Sequence, residues 1–120
     1  MAHSTERVNM TFLYLNSDTM GKGNDELGKK LLVSFMQKLA MSDIKIDVVG
    51  CVNNGIFLTT KDSQVIDSLT ALQDKGAHIV TCGTCLDFHQ RRDGLLIGTV
   101  GSMDGTVQIM ASADRVIRPC

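Results

Sequence analysis

Two hydrophobic periods alternate along this chain with short connections between them, and that alternation limits what it can fold into. Runs of strand length, rich in β-branched and apolar residues, stand at 8–15, 44–52, 77–81 and 115–117. Between the first two, Leu27, Leu31, Leu32, Phe35, Met36 and Leu39 fall on one stripe at helical spacing. This predicts a helix over 25–40, capped by Asn24 or Asp25. Between the second and third runs, Val65, Ile66, Leu69 and Leu72 share a face of a second helix, with Asp62 or Ser63 as its cap and Gly76 at its left-handed end. A further helix, capped by Ser102, carries Val107, Ile109 and Met110. Strands and helices in such alternation form an α/β fold with parallel strands and helical crossovers.

Composition narrows the function classes. With 43% hydrophobic and 21% charged residues, 120 residues suit one compact domain over 1–120, preceded by a polar tail over 1–7. A net charge of -1 without any Lys/Arg run argues against nucleic-acid and membrane-surface partners, which require a concentrated basic face. The tail has no apolar stretch of the signal-peptide kind, and no later run approaches membrane-spanning length, so a cytoplasmic protein is expected. In that compartment Cys51, Cys82, Cys85 and Cys120 are catalytic, metal-binding or simply buried rather than a disulfide framework.

Cys82-Gly83-Thr84-Cys85 follows the strand-like run 77–81 and precedes Leu86-Asp87-Phe88-His89. A strand that delivers thiols to a helix start exposes them at a sheet edge, and the free N–H groups of the helix favour a thiolate. In open α/β sheets, ligands bind outside the carboxyl ends of the strands. The loop after the first strand (Asn16, Ser17, Asp18, Gly21, Gly23), the end of the second (Cys51, Asn53, Asn54) and the two-cysteine loop are therefore expected to gather in one site. Asn53-Asn54-Gly55 is a turn leading into the apolar run Ile56-Phe57-Leu58. Other uses of the cysteines stay open. Cys82, Cys85 and His89, with Cys51 as a fourth, have ligand types suited to zinc. The two cysteines also suit a buried apolar pair. Thioredoxin-type exchange ranks lower, because no proline precedes Pro119. The loop at Gly21-Lys22-Gly23 fits neither phosphate-binding fingerprint and is read as shaping the site. Cys51 is expected in the core, and Cys120 as a terminal thiol.

Three blocks, Asn16-Ser17-Asp18-Thr19-Met20-Gly21-Lys22-Gly23, Glu26-Leu27-Gly28 and Cys82-Gly83-Thr84-Cys85-Leu86-Asp87-Phe88, carry a resemblance. Over roughly residues 8–111 the chain resembles the DsrE/DsrF-like sulfur-relay family, closest to the DsrE-like domain of the sulfurtransferase-like selenium-metabolism proteins of the YedF type. The resemblance implies a three-layer α/β/α sandwich with a mostly parallel sheet of about five strands, assembled as a homotrimer or homohexamer. It also implies a protein that accepts sulfane sulfur, or selenium, on a cysteine and passes it from a donor protein to an acceptor protein without a cofactor or metal.

On that resemblance Cys82 aligns with the relay cysteine and Cys85 resolves the persulfide, with the reverse order open. Gly83 removes bulk beside the sulfur, and the backbone N–H groups of Thr84 through Asp87 hold an anionic persulfide. Arg91 and Arg92 add positive potential, while Asn16, Asp18 and Asn54 shape the site. His89 stands where the family more often has tyrosine. The rival reading is a non-catalytic oligomeric binding module whose cysteines are structural or hold a metal; thiol reactivity at neutral pH separates the two.

Overall fold

The computed structural model describes residues 9–120. Five strands, β1 (Thr11–Leu15), β2 (Val48–Cys51), β3 (His78–Cys82), β4 (Thr99–Gly101) and β5 (Arg115–Ile117), form one sheet in the order β4-β3-β2-β1-β5. Every pairing is parallel. The helices are α1 (Asp25–Met41), α2 (Ile66–Asp74), α3 (Gly83–Phe88) and α4 (Met103–Ser112), with 3-10 turns at Asn53–Leu58 and Arg92–Gly94. From β1 to β4 each step moves the same way across the sheet, so right-handed crossovers put α1 and α2 on one face. The return from β4 to β5 runs the other way and carries α4 to the opposite face. This is the expected three-layer sandwich. The tail and position 8 of the first expected strand lie outside the described residues.

The core lies between the sheet and α1/α2. Leu13, Leu15, Val49, Cys51 and Ile79 point into it from alternate strand positions and meet Leu32 and Met36 of α1 and Leu69 and Leu72 of α2. Each such side chain, fully withdrawn from water, contributes about 1.5–3 kcal/mol.

The buried row of α1 is Gly28, Leu32, Met36 and Leu39, narrower than the expected stripe. Leu27 and Leu31 sit one residue, about 100°, round the helix and are 55% and 42% exposed. Asn24 caps α1 as expected, its side chain accepting the Leu27 amide at 2.9 Å. The start of α2 differs. Val65 precedes its first turn without a side-chain cap, while Ser63 Oγ accepts the Val65 amide at 3.1 Å and Asp62 is an exposed residue with φ 72°. Gly76 ends the hairpin-like return from α2 at φ 110°, as its position requires.

Two further segments depart from the sequence expectation. The second strand starts at Val48 rather than 44: the chain bends at Asp47, whose amide donates to the Thr11 carbonyl at 3.0 Å and whose carbonyl accepts the His78 amide at 2.9 Å, while its carboxylate takes the Thr11 amide at 2.8 Å. Residues 95–97 lie outside the sheet: Leu95 bridges Thr60 in antiparallel fashion, and Ile97 enters the core. The fourth strand is instead Thr99–Gly101, whose glycine-flanked sequence gives little strand signal.

Candidate thiol site at the carboxyl edge of the sheet

β3 ends at Cys82, whose extended backbone (φ -61°, ψ 121°) starts α3. Cys82 is 7% exposed; Cys85, in the first turn of α3, is half-buried. Gly83 between them is closely packed. A Cβ there would lie 3.0 Å from Val100 Cγ1 and 3.1 Å from Arg92 Nη2, so the expected absence of side-chain bulk is a packing requirement set by β4.

The second wall of the site comes from the end of β2. The Val52 amide donates to the carbonyl of Leu15 at 3.0 Å, and the Gly55 amide returns to Val52 at 2.8 Å. A Cβ on Gly55 would stand 2.0 Å from the Leu15 carbonyl oxygen, so only glycine permits this approach. Asn53, held between these contacts at φ 51°, donates its amide to Cys85 Sγ at 3.2 Å. Four residues on, the Phe57 ring meets the His89 ring edge-on with centroids 5.0 Å apart, and Phe88 meets His89 at the same distance from its other side.

Burial pushes the Cys85 thiol above the usual cysteine range; the Asn53 amide pulls it down, and the hydrogen bond and charge of Cys82 push it up again. The sequence expectation of a thiolate favoured by the helix start is therefore corrected. α3 is only six residues long, its dipole is correspondingly small, and desolvation outweighs it.

The two arginines do not both face the thiols. Arg92 is clamped by Asp87, with Nε to Oδ1 at 2.8 Å and Nη2 to Oδ2 at 3.0 Å, and its Nη2 also reaches the Gly83 carbonyl at 3.4 Å. The guanidinium holds the Asp87 carboxyl below its usual range. Arg91 instead lies over Phe57, 4.8 Å from the ring centroid, and donates to the Lys61 carbonyl at 3.2 Å.

The remaining expected site residues are spread along the edge. Thr84 and Asn54 are exposed, Asn54 within the 3-10 turn beside the thiols. Asn16 and the glycine loop wall a separate cleft of about 590 Å³ that also contains Cys120. Asp18 faces another, of about 380 Å³, and lies 4.0 Å from Lys29. Burial pushes the Cys120 thiol up, against the pull of the Asn16 and Ser17 backbone.

Cys51 is in the core, as expected, and its thiol is pushed up to about 12 by burial first and Cys120 second. Its register partner is Thr81, so Cys82, the next residue, faces the opposite side of the sheet. A zinc site drawing on both is thus not assembled. Among the described residues no three His, Cys, Asp or Glu side chains are grouped to hold a metal.

Sequence reasoning missed Asn53 as a partner of Cys85 and the cluster of Phe57, His89 and Arg91. The Asn-Asn-Gly signal located the turn, but the direction of its amide depends on how closely Gly55 approaches β1.

No protein-family model matches this chain, and no curated protein matches it. Among solved structures it is similar to MTH1491 from Methanobacterium thermoautotrophicum, a protein of unknown function, at 22% identity and a TM-score of 0.69, over 93% of this chain and 100% of that one. It is also similar to the ychN protein of E. coli, at 13% identity and a TM-score of 0.61, over 91% of this chain and 98% of that one. At these identities the likeness is one of fold: the chain has a YchN-like fold, in keeping with the sandwich its sequence resemblance implies.

Proposed function

We propose that this chain is a sulfur carrier of the DsrE/DsrF-like kind, taking sulfane sulfur from a donor as a cysteine persulfide and handing it to an acceptor protein. The observation that carries this reading is the pair Cys82 and Cys85 at the end of β3, with the half-buried Cys85 Sγ accepting the Asn53 amide at 3.2 Å. Because Cys82 is nearly buried and Cys85 is not, the roles read from the resemblance are exchanged: Cys85 carries the sulfur and Cys82 resolves it.

The Cys85 thiolate, its proton released to water, attacks the outer sulfur of a donor persulfide. A new S–S bond forms as the donor's S–S bond breaks, and the donor leaves as a thiolate with the electron pair. The added bond, about 2 Å long, sets the transferable sulfur beyond the half-buried Sγ. An acceptor thiolate then attacks that outer sulfur and displaces the Cys85 thiolate. Without an acceptor, Cys82 attacks Cys85 Sγ, expels hydrosulfide and leaves a Cys82–Cys85 disulfide.

Association belongs to the same proposal. α4 buries none of its residues, and Met103, Val107 and Met110 are exposed along it. Further copies of the chain in a homotrimer or homohexamer would cover this surface. Among the described residues no helix is long and apolar enough to cross a membrane. We place the protein in the cytoplasm, where its thiols stay reduced.

Treatment of the reduced protein with polysulfide, then with cyanide, tests the reading. The expected result is a gain of sulfur that is stable in Cys82→Ser and that cyanide removes as thiocyanate, while the parent releases hydrosulfide and is left with a Cys82–Cys85 disulfide. A Cys82→Ser chain that gains no sulfur overturns it.

A further inference from the structure

We infer that the cleft beside Cys85 seats the carboxylate end of an acidic low-molecular-weight thiol whose persulfide is the sulfur donor. The inference rests on the sulfur-carrier reading and names its substrate class. The cleft, of about 380 Å³, is walled by Lys61, His89, Gln90, Arg91, Asp93 and Gly94. That size suits a small molecule. Lys61 and Arg91 bring two cations against the single carboxylate of Asp93, and the His89 imidazole adds a hydrogen-bonding ring. Arg92, the next cation in the chain, is occupied by Asp87.

The walls are held before any ligand arrives. The Lys61 amide donates to the Gly94 carbonyl at 2.9 Å, and the Leu96 amide donates to Thr59 at 2.9 Å. Arg91 is fixed by the Lys61 carbonyl and by the face of Phe57. An Arg91 guanidinium positioned this way loses little freedom on binding an anion, so more of the attraction appears as affinity.

Cleft and thiol also lean on one segment. Cys85 and His89 are four residues apart, and the His89 amide donates to the Cys85 carbonyl at 3.1 Å. Such a spacing places two side chains on one side of a helix with their Cβ atoms about 6 Å apart. The Asn53 amide meets Cys85, and four residues later the Phe57 ring meets His89. A ligand seated in the cleft must therefore present its outer sulfur past His89, across about one helical turn, ~5 Å, to reach Cys85. The persulfide of a short mercapto acid has that reach.

The test compares sulfur uptake from the persulfides of mercaptosuccinate and of 2-mercaptoethanol, each rate divided by that donor's rate with free N-acetylcysteine. An anionic donor favoured about fivefold is expected, the preference shrinking in Lys61→Gln and with added salt. Equal rates, or a preference that survives Lys61→Gln, overturn the inference and leave the carrier reading standing. A protein that takes sulfur from neither donor defeats both. Binding is read separately by amide NMR with (methylthio)succinate, which cannot transfer sulfur. Saturable shifts at Lys61 and at 89–94, lost in Lys61→Gln, support the seat, and their absence overturns it.

Discussion

The Asn53 amide donates to Cys85 Sγ at 3.2 Å, tying the end of β2 to the first turn of α3. It is the one hydrogen bond to Cys85 that opposes the effect of burial on the thiol. Asn53 is held in a left-handed conformation, φ 51°, which is uncommon outside glycine but is adopted by asparagine more readily than by most residues. The turn is held by Gly55, pressed against β1.

Gly55→Ala is therefore expected to break the site from a distance. A methyl 2.0 Å from the Leu15 carbonyl oxygen cannot be accommodated without moving the turn. A loss of about 3 kcal/mol is expected from overpacking against backbone, read as a lower urea midpoint. The variant's Cys85 should also titrate higher than in the parent, because the Asn53 amide is withdrawn. An unchanged midpoint and titration would show that the turn relaxes freely.

Cysteine reactivity has an expected order. Iodoacetamide should modify Cys85 before Cys82 and Cys51, following exposure. Because burial raises Cys85, its alkylation rate should keep climbing above the pH at which an ordinary cysteine levels off. A midpoint below that of a free cysteine contradicts the burial argument.

Cys51 makes stability depend on alkaline pH. Its folded value, about 12, lies above the ordinary cysteine value of 9.0, so the folded state holds the proton more tightly. The unfolded chain releases it first, and stability falls as pH rises above 9. The expected loss from this group is about 1 kcal/mol at pH 10. Urea unfolding of Cys51→Ala should lose less stability by that amount between pH 7.5 and pH 10. Parallel losses in parent and variant would exclude Cys51 as the cause.

Asp87 and Arg92 give a local check at the acidic end. The guanidinium lowers the carboxyl, so their pairing is present above the usual carboxylate range and is lost as pH falls through the lowered value. In Arg92→Gln the Asp87 carboxyl is expected to titrate at higher pH by NMR. Unfolding at neutral pH should barely change, since both side chains are largely in water. An unshifted Asp87 would mean that the pair does not form in solution.

The layers of the fold were legible wherever burial imposes a period. Leu32, Met36 and Leu39 on α1 and Ile79 on β3 announce their elements because each faces the core at the spacing its backbone dictates. Leu27 and Leu31 misled, because an apolar residue on a helix says nothing of whether a neighbour covers it. β4 stayed hidden because Gly98 and Gly101 flank only two side chains, and Val100 is exposed. At the site, the cysteine spacing revealed the thiols, and the turn signal revealed the bend at 53–55. The Asn53 amide at Cys85 and the packing of Phe57 against His89 and Arg91 are long-range contacts. They follow from strand order and register, which no local pattern encodes.

The most direct test of the central claim is the intact mass of the reduced protein after polysulfide treatment, for the parent chain and for Cys82→Ser, Cys85→Ser and the double variant Cys51→Ser/Cys120→Ser. The account predicts sulfur retained in Cys82→Ser, a Cys82–Cys85 disulfide with release of hydrosulfide in the parent and in the double variant, and neither in Cys85→Ser. Sulfur that persists in Cys85→Ser, or a Cys82→Ser chain that gains none, contradicts it.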